Sequence, residues 1–247
     1  MIAPGDIESI ERATLAGLGC DSVQVLDGWL LPRVKAPMGR AKSAVPIRHD
    51  LLLDPAGLET ITSAYAVDGL KVMFRVPDAA GMMSVRHLLA GMGFGPVLRP
   101  THVMIADLTD VAQISDSTAI FTSEPDPDWS AVFTSPGFDP DDGAARVQAL
   151  ARARNTCFGR VNIDGMAVAV GVGNYNWGWV SLHGMRTALA FRGQGHAATL
   201  LAGLARIGLE QGLSRAVLQV EEGNWSAFNL YRRAGFRTAW RYDYWMA

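Results

Sequence analysis

The sequence predicts an α+β chain built in two halves that meet near residue 125. Three observations predict it. Apolar residues fill 49% of the 247 positions, enough for a buried core. In the second half, stretches that alternate with period two give way to one long stretch with apolar residues three and four apart, so strands and helices are mixed. Ser123-Glu124-Pro125-Asp126-Pro127-Asp128 concentrates acids and prolines, which hinder helix interiors and central strands alike, and so marks the join.

Composition narrows the function. A net charge of -2 with no long run of Lys or Arg is unlike a protein that neutralises many phosphates, so no nucleic-acid partner is expected. Cys20 and Cys157 are the only cysteines, and neither lies in a CxxC, which suits a reducing compartment. No window reaches the ~18 uninterrupted apolar residues of a membrane span. Met1-Ile2-Ala3-Pro4-Gly5-Asp6 lacks the basic-then-apolar build of a signal peptide. A cytoplasmic location with no membrane partner is the expectation.

The second half is the more legible. Asp139 to Ala153 carries a proline at its start, acids in its first turn and arginines later, which suits a helix. Cys157 to Ile163 and Met166 to Val172 read as strands joined by Asp164-Gly165, a hairpin signal. Trp179 to Thr187 alternates as a strand with Ser181, His183, Met185 and Thr187 on one face. Ala197, Leu200, Leu201, Leu204, Ile207 and Gly208 make one helical stripe, and Gly212 stops it. Ala216 to Val220 is a short strand; Asn224 caps a helix to Ala234 that Gly235 ends; Trp240 to Trp245 closes as a strand.

The first half echoes this order. Val72 to Val76 reads as a strand, Ser84 to Met92 as a helix ended by Gly93-Phe94, and His102 to Ala106 as a strand; an early strand covers Gly28 to Arg33. The parallel with strand, helix, Gly235-Phe236, strand predicts an internal duplication.

Arg192-Gly193-Gln194-Gly195-His196-Ala197 lies between a strand and the amphipathic helix. Small residues let a ligand approach the backbone, and a helix N-terminus presents unpaired N–H groups and positive partial charge, which suits a pyrophosphate. A tight structural turn would use the same glycines, and the loop alone leaves both readings open. A P-loop is excluded because His196-Ala197-Ala198-Thr199 supplies no Gly-Lys-Ser/Thr ending. A dinucleotide fingerprint lacks its acid about 20 residues on, where Val217 to Gln219 lie.

Two motifs then carry a resemblance. Arg192, Gly195 and Ala197 match the Arg/Gln-x-x-Gly-x-Gly/Ala pattern of the GCN5-related N-acetyltransferase family, and Asn224, Ala227, Tyr231 and Gly235-Phe236 match its second motif at the right separation. The second half therefore resembles this family over residues 126–247, and the first half resembles a worn copy over residues 1–122. The resemblance implies two lobes, each a mixed, mostly antiparallel sheet flanked by helices. It implies that Gly193, Gln194, Gly195, His196 and Ala197, with Arg192, cradle the pyrophosphate of acetyl-coenzyme A. Met185, Arg186 and Thr187 would pair with its pantetheine arm, with Asn224 and Ala227 alongside. Tyr231 would sit near the sulfur as the general acid.

The implied reaction is acyl transfer: direct attack by the primary amine of a small molecule or amino-acid derivative on the thioester, with no metal. Gln219 stands where several relatives place a basic Glu, so His183, Glu221, Glu222 or a water chain remain as proton acceptors. Tyr175, Trp177, Trp179, Trp225 and Tyr244 are candidates for the acceptor side. The first half, with no matching loop between Val45 and Leu58, is expected to bind no coenzyme. Family relatives imply a monomer or homodimer. The rivals are a non-catalytic acyl-coenzyme A sensor and a tandem acyltransferase resembling mycothiol synthase.

Overall fold

The computed structural model describes residues 4–97 and 100–247, so Met1 to Ala3, on which the leader reading partly rests, lie outside the described residues. Helix α1 (Pro4–Ala16) precedes β1 (Ser22–Leu26), β2 (Trp29–Arg33) and β3 (Val45–Pro46). Then come α2 (Pro55–Ala66), β4 (Phe74–Pro77), α3 (Met83–Gly91), β5 (Gly95–Pro96), β6 (Thr101–Asp107), α4 (Leu108–Ala112) and β7 (Ile120–Thr122). The second half runs α5 (Pro127–Phe133), α6 (Pro140–Ala151), β8 (Thr156–Ile163), β9 (Met166–Asn176) and β10 (Trp179–Thr187). It ends with α7 (His196–Glu210), β11 (Arg215–Glu221), α8 (Trp225–Arg233) and β12 (Arg237–Met246).

Local chemistry sets these bounds. Asp164 and Gly165 both take positive φ, 49° and 81°, the pairing a tight two-residue hairpin needs. Asp139 caps α6 by accepting from the Asp142 N–H at 2.9 Å. The acid- and proline-rich join is itself structured: Pro127 opens α5, where a missing N–H costs nothing, and Asp126 caps it.

The α+β architecture is the expected one, with a mixed sheet between helical layers. A nine-stranded sheet runs β4-β12-β6-β11-β10-β9-β8-β7, with β5 pairing on β12, and a three-stranded sheet holds β1-β2-β3. Neighbours are antiparallel except β10 and β11. The two halves exchange strands: β6 of the first lies between β11 and β12 of the second, and β12 continues onto β4 and β5. Strand β6 is buried on both faces, which explains its nearly continuous apolar run. Met104 and Ala106 face the core under α7 and α8, whereas Val103 and Ile105 pack with Ile10 and Ala13 of α1.

Under α1 lies a buried ion pair, Arg75 Nη1 to Glu11 Oε2 at 2.9 Å, both side chains within 1% of full burial. Arg75 also donates to Ser43 Oγ at 3.1 Å and lies over the Tyr242 ring, so this pair ties α1, β4 and β12 together.

Candidate functional site

The site begins where the sheet opens. The parallel pair β10–β11 is joined only at Val180↔Ala216 and Ser181↔Val217. Beyond Ser181 the strands diverge, leaving that edge of β10 without a strand partner. A bulge lies in the same stretch: the β9 register shifts between His183 and Arg186, and Gly184 takes φ +59°, a left-handed value that favours glycine. The bulge overturns the expected single face. Ser181 and His183 bond to each other on the α1 side, and a methyl on Gly17 of the chain just after α1 would strike the His183 ring. Met185 instead points to the α7 side, where a methyl on Gly171 would strike its sulfur. One extra residue inverts the alternation, so His183 and Met185 look to opposite sides of the sheet.

The loop after β10 ends in an uncapped helix. Gly193 and Gly195 have φ +77° and +88°, and Gly195 is the N-cap of α7 with no side chain bonded to the first turn. No N–H from Gly193 to Ala197 donates to a backbone acceptor among the described turns and caps, so these donors stay free. Arg192 Nε donates to Thr187 O at 3.1 Å and Gln194 Nε2 to Ala190 O at 3.2 Å, holding the loop's shape. His196 is half-buried, with Nε2 turned inward and unpaired among the described residues.

Helix α8 supplies the other wall. Asn224 caps it by accepting from the Ala227 N–H at 3.3 Å, and Ala227 and Tyr231 follow on its stripe. Tyr231 is buried, its ring against Phe236, and burial pushes its hydroxyl up to about 12, with the Arg40 charge pulling the other way. The phenol therefore keeps its proton across the physiological range.

Two cavities meet here. One of about 390 Å³ is lined by the loop Arg192 to Ala198, Thr187, Phe138 and Leu230. The other, about 220 Å³, lies in the β10–β11 cleft and is lined by His183, Gln219, Glu221, Arg40 and Leu18. Met185, Arg186, Asn224, Ala227 and Tyr231 line both, so they form the junction. Arg186 reaches from it to Phe133 O at 2.8 Å and to Asp142 at 3.3 Å, between the Phe133 and Phe138 rings.

The three proton-acceptor candidates fare differently. Glu221 lines the cleft and forms no ion pair among the described residues, whereas Glu222 is taken by Arg241 at 3.3 Å. Burial, helped by Arg40, pushes His183 down to about 3, which leaves it neutral and a weak base. The folded state thus refuses a proton that the unfolded chain accepts below pH 6.5. The stability this sustains is present above pH 6.5 and lost as pH falls towards 3. The melting temperature should drop across that window, and less steeply in His183→Asn, by about one proton's worth. Equal slopes in wild type and variant would contradict a buried neutral ring.

The aromatic candidates do not line the cleft. Tyr175 donates to Leu204 O at 3.2 Å in the α7 core, and Trp179 donates to Ser9 Oγ at 2.9 Å under α1. Trp177 and Trp225 are exposed, and Tyr244 packs beside Tyr242 and Gly39. The cleft instead takes Arg40 and Met38, from the β2–β3 connection, and Arg146 of α6, none of which carries a local signal of function. Among the described residues no group of three or more His, Cys, Asp or Glu could hold a metal ion, and no helix is long and apolar enough to cross a membrane.

A model of the family described as "Probable histone acetyltransferase Rv0428c C-terminal" matches residues 4–245. No curated protein matches the chain. Among solved structures, a GCN5-related N-acetyltransferase from Kribbella flavida is similar, at 19% identity and TM-score 0.71, over 99% of this chain and 96% of that one. Another from Sphaerobacter thermophilus has 17% identity and TM-score 0.57 over 100% and 93%. A tandem GNAT protein from the clavulanic acid biosynthesis pathway has 11% identity and TM-score 0.63 over 100% and 96%. At these identities the likeness to solved structures concerns the fold.

Proposed function

Because the chain belongs to the acetyltransferase family whose model spans it nearly end to end, we propose that it moves acetyl from acetyl-coenzyme A to a primary amine at the junction of the two cavities. The meeting of those cavities at Tyr231, Asn224 and Ala227 is the observation that carries this reading. The loop chemistry fits the coenzyme: free N–H groups at an uncapped helix start suit a pyrophosphate, and the unpaired edge of β10 suits the amides of its arm. When bound, acetyl-coenzyme A supplies an activated acyl group on sulfur.

The chain's own residues then position and move protons. Backbone amides of the 184–186 bulge stabilise the oxyanion that forms as the amine nitrogen bonds to the acyl carbon. As the C–S bond breaks, the Tyr231 hydroxyl gives its proton to the sulfur. Glu221, directly or through water, takes the proton the amine loses; His183 fits better as a neutral hydrogen-bonding wall.

Helix starts support the division of labour at residues 1–122 and 126–247. Helix α2, which follows β3 as α7 follows β10, is capped by the Asp54 carboxylate bonded to the Gly57 N–H at 2.7 Å. That negative charge sits where a phosphate would bind, so the first half walls the acceptor cleft and takes no coenzyme. The family's description raises a histone lysine as acceptor. Arg40, Arg146 and Arg186 around a small cleft oppose a Lys- and Arg-rich tail, so a small-molecule amine is preferred. The test is thiol release from acetyl-coenzyme A with a panel of small amines and a histone-tail peptide. Turnover of small amines is expected; coenzyme binding without turnover of any amine would leave the sensor reading.

A further inference from the structure

We propose that the acceptor carries a carboxylate as well as its amine, and that Arg40 is the residue that selects it. The inference rests on the acetyl-transfer reading, since it names the substrate class of the same cleft.

Arg40 sits in the single turn Gly39–Lys42 between β2 and β3, half-buried, and lines the cleft with His183, Gln219, Glu221 and Tyr231. Among the described residues it has neither an ion pair nor a hydrogen-bond partner. Its neighbours other than Glu221 are committed. Arg75 holds Glu11, while Asp142 holds both Arg146 and Arg186. Glu221 lies on the same cavity but pairs with nothing. A half-buried guanidinium with no bound partner favours an anion that docks on it over a neutral group.

Two further observations point the same way. His183, which lines the same cavity, has a buried Nδ1 without a partner among the described residues. The Arg40 charge also reaches inward: burial raises the hydroxyls of Tyr231 and Tyr244 and Arg40 opposes that rise, while burial lowers His183 and Arg40 adds to it. A planar guanidinium donates two parallel N–H bonds to a carboxylate, a match no neutral amide offers. Glu221 on β11 is then free to face the amine. A cavity of about 220 Å³ suits an amine and a carboxylate on one small body, as in an amino acid.

The experiment compares the free amino acids with their carboxamides as acceptors, reading thiol release from acetyl-coenzyme A for wild type, Arg40→Gln and Arg40→Lys. Wild type should prefer the free acid by roughly 30-fold in kcat/KM, mainly through KM, the scale of a charge-assisted bond. Arg40→Gln should bring that ratio near one, and Arg40→Lys, which keeps the charge without the fork, should retain part of it. Carboxamides accepted as well as acids by wild type, or an unchanged ratio in Arg40→Gln, would overturn the inference and leave acetyl transfer standing. If no amine is turned over, the acetyl-transfer reading falls. Calorimetry with N-acetyl amino acids and N-acetyl amino-acid amides, coenzyme A present, then decides. Binding of the acid forms alone, lost in Arg40→Gln, supports Arg40, and equal binding refutes it. Thermal unfolding checks the variants' fold, and Arg40→Lys serves should Arg40→Gln fail to fold.

Discussion

Tyr231→Phe is expected to lower kcat for acetyl transfer about 100-fold while acetyl-coenzyme A still binds within a few-fold of wild type, because removing a general acid costs the chemical step and little binding. The substitution keeps the ring against Phe236, 5.9 Å between centroids, so the loss reports the hydroxyl rather than the packing. The phenol is suited to the role by its surroundings. Burial pushes it up to about 12, so it holds a proton at every working pH, as the proposed donor to the departing thiolate must. Steady-state thiol release gives kcat, and calorimetry gives the affinity for the coenzyme. A variant that keeps more than a third of wild-type kcat would move the proton donation elsewhere in the junction.

Glu11→Met should be the most damaging single change to stability, costing about 3–5 kcal/mol, because it strands the Arg75 guanidinium in the core without its partner. In a chain of this size that is a fall of roughly 10 °C in melting temperature. The pair is completely enclosed beneath α1 and touches both halves through Ser43, just before β3, and Tyr242 on β12. Replacing both residues, Glu11→Met with Arg75→Met, should recover most of the loss, since an apolar pair of similar volume leaves no bare charge. Calorimetric melts of the two variants decide it. A double variant no more stable than the single one would mean that the pair's geometry, rather than charge compensation, is what α1 requires.

Most second-half elements could be read from spacing. The stripe from Ala197 to Gly208 became α7, Asp164-Gly165 became a hairpin turn, and Asn224 became the cap of α8. These signals are local: a helix face, a turn's φ angles and a cap each depend on residues within one or two turns of chain. The proline-rich join shows where local reading runs short. Pro127 bars a helix interior yet opens α5, because the first turn has no use for the missing N–H. The bulge at Gly184 was equally hidden, and it put His183 and Met185 on opposite sides although the letters alternate without a break. The aromatic residues read as acceptor-facing went to cores or to solvent, since composition says what an aromatic can bury against and nothing of where.

By itself, then, the sequence determined the family resemblance, the loop Arg192 to Ala197, the Asn224–Tyr231 stripe and the order of strands and helices around them. Those are patterns within one segment or at a set separation, and they survive without knowing what packs on what. Only the tertiary structure decided that β6 enters the second half's sheet, that the cleft opens where β10 and β11 part, and that Arg40 comes to it from the first half. The physical reason is distance along the chain. Arg40 and Tyr231 are brought to one cavity by strands exchanged between the two halves, and no periodicity in either segment records the other.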